Sequence, residues 1–396
     1  MNIWLVNPGE PLPVDNNQRL LRTGKLAYHL KKRGHKIFWF SSKFNHFTKK
    51  FRKLDKKKYE GIQYYFIKSI GYKKNLSIMR LLDHFVLGIN LFLKIIKMKK
   101  PDIVITSYPP IETSFFILIY CKINNIKLIC DVRDLWPYTF QHLFKKKFYK
   151  VLCNIFVLPW VLMSKIIFKK CKIITISDGF SKWLSPYCKS KVETVFLSYE
   201  KKKSFLINKK FKNFKISKKD FIICFIGNFS EIKFNFDLVF NSSDQIFNFS
   251  KNIKFIMCGD LKNINQKFLK KYKNVYLFDW INRKEVRKLL SISSLGLAPY
   301  NDLWDFNLSI PNKISEYLSY DLPILSSLKG DTKNLINKHN CGINYRPENK
   351  FNFINNIKKI YSNKKLYKKM KINARSASEN FHDEKLLIKM EKIIFN

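Results

Sequence analysis

Short apolar runs rich in β-branched and aromatic residues alternate with longer helical patterns along nearly the whole chain. NIWLV, KIFWFS, IQYYFI, DIVITS, KLICDV and KIITIS occupy the first half, and FIICFIG, KFIMCG, VYLF, LGLAPY and LPILSS the second. Runs this short and this continuously apolar suit strands buried on both faces, and strands separated by helices pair in parallel. Between the first two runs, residues 18–33 set Leu20, Gly24, Ala27 and Tyr28 at helical spacing, and Gly34 supplies the stop. One β-α-β unit is therefore legible from the first residues. The pattern restarts once, at Phe221, and 396 residues exceed what a single core usually serves. An α/β protein with two Rossmann-like, doubly wound parallel-sheet domains is expected.

The division follows from composition. Residues 1–200 form the expected N-terminal domain and 201–219, a polar and basic stretch of weak periodicity, the linker. Residues 220–378 form the second domain, and 379–396 a last helix expected to pack back toward the first. Open sheets of this kind receive ligands outside the carboxyl ends of their strands, so a cleft between the two domains is the expected site.

Lysine and arginine total 75 against 29 acidic residues. That balance suits phosphorylated ligands or an anionic membrane face. It names no partner alone, because Lys, Asn, Ile, Phe and Tyr are inflated together, as an AT-rich coding bias would make them. The eight cysteines contain no Cys-x-x-Cys pair, which argues against a zinc or thioredoxin-type site, and Cys130, Cys224 and Cys258 fall within strand runs as small buried hydrophobes. A reduced, cytoplasmic protein without a signal peptide is expected. The apolar run Val151–Lys170 is marginal against the roughly 20 residues of a spanning helix. Asn154, Pro159, Ser164 and Lys165 interrupt it, so a core or interfacial helix is expected.

Several stretches carry candidate chemistry. NPGEPLPVDNNQRLLR lies between a strand and a helix, with Gly9 in the turn and Arg19 and Arg22 following, but it lacks Gly-x-Gly-x-x-Gly. DVRDLWPY ends a strand with Asp131, Arg133 and Asp134 beside Trp136; an internal Arg133–Asp134 pair is the structural alternative to a cleft wall. TSYPP, with Tyr108, ends the neighbouring strand. GNFSEIK offers Gly227 for close backbone approach and Lys233 as a point charge. In IPNKISEYLSYDLPILSS, Pro311 suits a helix start, which leaves the N–H groups of Asn312, Lys313 and Ile314 open toward an anion such as a diphosphate. Helical geometry sets Ile314 and Leu318 on one face and Glu316 on the other, near Asn312 and Lys313, where its carboxylate would accept hydroxyl hydrogen bonds. A solvated Lys313–Glu316 pair is the plain alternative.

Over almost its whole length the chain resembles the retaining, nucleotide-sugar-dependent glycosyltransferases of family 4, which have the GT-B architecture. KLAYHLKKRGHKIFWFSS resembles their first helix and second strand. PDIVITSYPP, LICDVRDLWPY and CKIITISDGFSKWL are close to a bacterial branch acting on amino-deoxysugars such as N-acetylfucosamine in O-antigen and capsule synthesis. IPNKISEYLSYDLPILSS resembles the donor-site helix. The resemblance implies that Glu316 binds the donor ribose, that Asn312 and Lys313 lie at the diphosphate, that Lys233 helps neutralise the leaving nucleotide, and that Gly9 and Gly227 admit the donor. Arg133 and Asp134 are the catalytic candidates, and Arg22, Tyr108 and Trp136 belong to the acceptor side. Three positions depart from the family pattern: Leu308 stands where a Glu-x7-Glu motif has its first glutamate, Arg133 replaces a histidine, and Asn228 replaces an arginine.

The expected activity is sugar transfer from a nucleotide-sugar, a UDP-N-acetyl amino sugar in the first instance, to a lipid-linked saccharide, with retention and without metal or cofactor. The expected place is the inner face of the cytoplasmic membrane, with the basic, aromatic-interleaved loop Phe44–Tyr59 as its contact. Two other readings stay open: a nucleotide-sugar 2-epimerase on the same fold, and a non-enzymatic polybasic binder of membrane or nucleic acid.

Overall fold

The computed structural model describes residues 1–396 except 16–19, 76, 145, 200–216, 218, 266 and 268–271. The linker expected at 201–219 and Arg19 therefore fall, almost entirely, outside the described residues. The chain divides into two units, Met1–Val195 with Glu384–Asn396, and Phe196–Asp383.

The first unit is built on β1 (Asn2–Val6), β2 (Lys36–Ser42), a small hairpin of β3 (Phe44–Asn45) and β4 (Lys50–Phe51), then β5 (Lys56–Tyr59), β6 (Ile62–Ile67), β7 (Ile103–Tyr108), β8 (Lys127–Val132), β9 (Lys172–Thr175) and β10 (Glu193–Thr194). Its eight-stranded sheet runs β10-β9-β8-β7-β1-β2-β6-β5. All pairings in that sheet are parallel except β5 with β6, where Lys56 faces Tyr65 and Tyr59 faces Ile62 in antiparallel register. Around the sheet lie α1 (Arg22–Lys32), α2 (Ile78–Ile95), α3 (Ile111–Ile123), α4 (Lys147–Phe156), α5 (Leu158–Lys170) and α6 (Asp178–Leu184). Ile3, Trp4, Leu5 and Val6 are buried in the middle of the sheet, as a continuously apolar central strand requires. The sheet reverses its order between β1 and β7, so the loops that follow those strands flank a crevice.

The second unit repeats the plan with β11 (Phe221–Ile226), β12 (Ile253–Cys258), β13 (Val275–Phe278), β14 (Leu295–Ala298), β15 (Ile324–Ser326) and β16 (Gly342–Asn344), ordered β13-β12-β11-β14-β15-β16. This is the doubly wound 3-2-1-4-5-6 order, with its reversal between β11 and β14. Around it lie α7 (Phe236–Phe249), α8 (Arg283–Ile292), α9 (Trp304–Asn307), α10 (Asn312–Ser319), α11 (Gly330–His339), α12 (Lys350–Ser362) and α13 (Lys364–Ser378). The capping box legible in NRKE is present: the Asn282 side chain accepts from the Glu285 N–H, and the Glu285 carboxylate accepts from the Asn282 N–H. The last helix, α14 (Asp383–Phe395), packs on the first unit, where Glu391 lies 2.6 Å from His29 Nε2 and Lys172 donates to the Ile393 carbonyl at 2.7 Å.

Two expectations change here. The stretch Phe44–Tyr59 is not a free basic loop. Phe44 is buried against Phe51 and Tyr72, Arg52 pairs with Asp15, and Lys56–Lys58 form an edge strand, where charge discourages further strand pairing. The run Val151–Lys170 is two helices, α4 and α5, bent by 59°. Among the described residues no single helix is long and apolar enough to cross a membrane. Ile167 and Phe168 of α5 are buried in the core, whereas α4 buries no residue at all.

Candidate active site

In the second unit, the reversal point gathers the carboxyl ends of β11 and β14 and the start of α10. The turn after β11 carries Gly227, and an isolated bridge between Phe234 and Tyr300 brings the Lys233 segment beside the turn after β14. Into this corner runs the side chain of Lys313. Its Nζ lies 4.0 Å from the Phe225 ring centre, 4.1 Å from that of Phe234 and 5.1 Å from that of Tyr300. The ammonium is buried and has no hydrogen-bond partner. Burial pushes Lys313 well below the ordinary lysine range, the Glu316 carboxylate opposes that shift, and the nearby Lys233 charge adds to it. Ring faces attract a cation but offer no lone pairs, so Nζ is left without a hydrogen-bond acceptor. A Cβ at Gly227 would stand 3.2 Å from Lys313 Nζ, so glycine leaves the approach to the ammonium open.

This placement corrects the sequence reading of the helix. Lys313 lies under the turn at Gly227 and does not share a solvated edge with Glu316. Pro311 is the N-cap, Asn312 is exposed, and the Ile314 N–H bonds to the Pro311 carbonyl at 2.9 Å. The open N–H groups at this helix start are therefore those of Asn312 and Lys313. Ile314 and Leu318 are fully buried, as the helical spacing requires.

Glu316 is also not free. Its Oε1 accepts from Arg283 Nη1 at 2.5 Å, and Arg283 Nη2 donates to the Tyr199 hydroxyl at 2.5 Å while its guanidinium lies 5.0 Å from the Tyr199 ring centre. Burial disfavours the Arg283 cation, but Glu316 together with Tyr199 more than offsets it and holds the guanidinium above its ordinary range. Arg283 was not singled out in sequence, where it is only the first residue of a capped helix. Lys233 is exposed, with its ammonium 5.7 Å from the Phe306 ring centre. Leu308 caps α9, so the family's first motif carboxylate has no counterpart at that position.

In the first unit, the crevice between the loops after β1 and β7 is a cavity of about 300 Å³. Gly9, Glu10, Arg133, His46, Tyr72, Arg80 and His84 are among the residues that line it. A Cβ at Gly9 would meet nothing within 4 Å, so the glycine is not demanded by the fold around it.

Arg133 does not pair with Asp134. Its Nε donates to Asp131 at 2.8 Å, its Nη1 to Glu10 at 2.7 Å and its Nη2 to Thr23 at 2.7 Å. Arg22 holds the other side of Asp131 with Nε at 2.9 Å and Nη2 at 2.9 Å, and donates through Nη1 to the Val195 carbonyl at 2.7 Å. Asp131 is 1% exposed, and although burial raises a carboxyl, the two guanidinium groups bring it below its usual range. Arg22 and Arg133 are thus the cationic half of a buried network that ties the loop after β1 to the end of β8. That assigns them positioning work before any catalytic contact.

Tyr108 is fully buried, and its hydroxyl bonds to the Trp136 carbonyl and, at 2.7 Å, to Ser164. The Tyr108 hydroxyl, assigned from sequence to the acceptor side, is thus engaged in the core. Asp134 acts on the Arg80 cation, opposing the burial that disfavours it. The Arg80 guanidinium lies 4.4 Å from the Trp136 ring centre. Arg80, His46 and His84 reach the site from segments without a strand-end motif, and sequence reasoning missed them.

Residues 207–377 match the model of the family Glycosyl transferases group 1. No curated protein matches the chain in sequence. Among solved structures, sucrose-phosphate synthase from Thermosynechococcus elongatus aligns with 99% of this chain and 98% of its own at a TM-score of 0.74 and 11% identity. The Anabaena protein HepE, solved in complex with UDP and glucose, aligns over 99% and 98% at 0.68 and 12% identity. A glycosyltransferase from Rickettsia africae aligns over 99% and 97% at 0.64 and 19% identity. These likenesses give the fold over the full chain: two Rossmann-like units of the GT-B type. The family match over residues 207–377 marks the chain as a glycosyltransferase.

Proposed function

We propose that this glycosyltransferase moves a sugar from a nucleotide-sugar, a UDP-N-acetyl amino sugar in the first instance, to a lipid-linked saccharide during cell-surface polysaccharide synthesis, with retention. The observation that carries the reading is the buried, unpartnered ammonium of Lys313 at the reversal point of the second sheet. A diphosphate supplies what that ammonium lacks. Its oxygens would receive Lys313, the exposed Lys233 and the N–H groups of Asn312 and Lys313, with the positive end of the α10 dipole behind them. Glu316 keeps Oε2 for a ribose hydroxyl while Arg283 fixes its rotamer through Oε1.

The chemistry follows from that arrangement. As the glycosidic bond to the nucleotide breaks, negative charge grows on the leaving diphosphate, and preorganised cations and N–H dipoles stabilise it more than they stabilise the ground state. In this reading Lys313 gains most, because a cation held without a partner binds better as the phosphate charge increases. The acceptor saccharide occupies the cavity beside Gly9 and Arg133. The match to a glycosyl transferase family favours transfer over epimerisation. The decisive assay presents UDP- and GDP-sugars with lipid-diphosphate-linked saccharides and measures nucleotide release. Release that depends on the acceptor is expected; an epimerised nucleotide-sugar formed without acceptor would overturn the reading.

A further inference from the structure

A second concavity adjoins the cavity of the first unit. It is a groove of about 440 Å³ between α2 and α4, walled by Ile78, Leu81, Phe140, Leu152 and Phe156. Both volumes fall within the range of about 300–1,000 Å³ that ligand sites occupy. The two are chemically opposite, one set with histidines, arginines and carboxylates and the other almost wholly apolar. Arg80 lines both. Its guanidinium stands between the Trp136 ring, 4.4 Å away, and the Tyr72 ring, 5.6 Å away, and its Nη1 donates to the Asn75 carbonyl at 2.9 Å. Its Nε is buried with no hydrogen-bond partner.

The Tyr72 hydroxyl and the Asp134 and Asp83 carboxylates favour the cation, but none bonds Nε. Asp83 turns its carboxylate to the Gly71 N–H at 2.6 Å, and His46 lies 2.5 Å from the Tyr72 hydroxyl. Lys49, 4.4 Å from the Tyr72 ring centre, adds a second cation nearby. At the mouth of the groove, Ile78 is 69% exposed and Phe156 52% exposed, and α4 buries no residue. An apolar channel with an open mouth therefore ends on a guanidinium whose Nε lacks an acceptor, and beyond it lies a polar cavity. That sequence of environments matches one kind of molecule: a hydrocarbon tail, then a phosphate, then a sugar.

We propose that the groove between α2 and α4 holds the hydrocarbon tail of a lipid phosphate and that Arg80 receives its phosphate at the junction with the polar cavity. The proposal gives the lipid-linked acceptor of the preceding section its binding subsite and rests on that reading for the sugar end only. A bilayer surface would meet the rim of the groove but would not reach the buried Nε, which is why a single inserted lipid is the occupant.

The test titrates the full chain with farnesyl diphosphate, farnesol and inorganic pyrophosphate by calorimetry, and measures adsorption to phosphatidylcholine–phosphatidylglycerol vesicles in parallel. Farnesyl diphosphate is expected to bind more tightly than farnesol in the wild type. Arg80→Gln should weaken it at least tenfold and leave farnesol unchanged, since a charge-assisted hydrogen bond is worth about that factor or more. Leu152→Gln, at a half-exposed position where a polar side chain opens no core, should weaken both ligands about fourfold, the worth of one buried methylene. An unchanged affinity for farnesyl diphosphate in Arg80→Gln would overturn the proposal. So would a Leu152→Gln variant that loses vesicle adsorption while keeping its farnesyl diphosphate affinity, because the face would then be a bilayer contact. UDP binding, measured on the same samples, reports on the second unit alone, so failure of the donor reading is distinguishable from failure of this one.

Discussion

The ammonium of Lys313 sits 4.0 Å from the centre of the Phe225 ring, buried, with no hydrogen-bond acceptor. Its folded-state pKa is lowered by burial, so the unfolded chain binds this proton more readily, and the cost to stability is present at neutral pH. Lys313→Met, similar in volume, should therefore keep or raise the unfolding midpoint while weakening UDP binding at least tenfold. A diphosphate raises the lysine pKa again, so donor binding should take up a proton between the free and bound values, and affinity should fall as pH rises through that window. Calorimetry in buffers of different ionisation enthalpy measures the uptake; a buffer-independent heat together with unaltered UDP affinity in Lys313→Met would refute the assignment.

Glu316 and Arg283 should separate in their effects. On the proposed donor reading, Glu316→Gln removes a charged acceptor from the ribose and should lower kcat/KM for the nucleotide-sugar by about 10- to 100-fold, the worth of a charge-assisted hydrogen bond. Arg283→Met leaves the carboxylate in place but unfixed, so KM should rise with kcat little changed. Equal losses in kcat for both variants would show that Arg283 itself meets the reacting diphosphate.

The Arg133 network predicts a loss of stability. Arg133→Ala leaves Glu10 and Asp131 short of a buried partner, which costs about 3–5 kcal/mol in comparable networks. Denaturant unfolding should show a midpoint well below wild type, recovered in part by adding Glu10→Gln. A stable but inactive Arg133→Ala protein would instead mark Arg133 as a residue that touches substrate.

His46 makes a pH prediction. Burial, with the neighbouring Lys49 and Arg80 charges, brings its pKa down to about 4 from an ordinary 6.5. The unfolded chain takes up that proton first, so the stability His46 contributes is complete above pH 6.5 and is lost as pH falls toward 4. Asp83 and Glu112, raised by burial, act in the opposite direction. The melting temperature of His46→Asn should therefore fall less than that of wild type between pH 6.5 and 4. Superimposable pH curves would count against it.

How much of this was legible beforehand depends on the range over which each residue acts. The strands NIWLV, IQYYFI, KLICDV and VYLF appear with the boundaries that apolar continuity gives them, and the Asn282–Glu285 cap was readable because its partners are three residues apart. Short or polar strands escaped. β5 is the lysine run Lys56–Tyr59, whose edge position shows only once β6 lies beside it, and β10 has two residues.

Local spacing thus determined the α/β class, the doubled sheet and the helix that bears Lys313 and Glu316. Tertiary structure decided what those charges do. It turned Lys313 into an aromatic corner, gave Glu316 to Arg283, paired Arg133 with Glu10 across 123 positions in place of its neighbour Asp134, and set Arg80 between a polar cavity and an apolar groove. The physical reason is that periodicity reports which face of an element is buried, whereas the fate of a buried charge depends on which other charges, rings and N–H groups the chain brings back to it from far away.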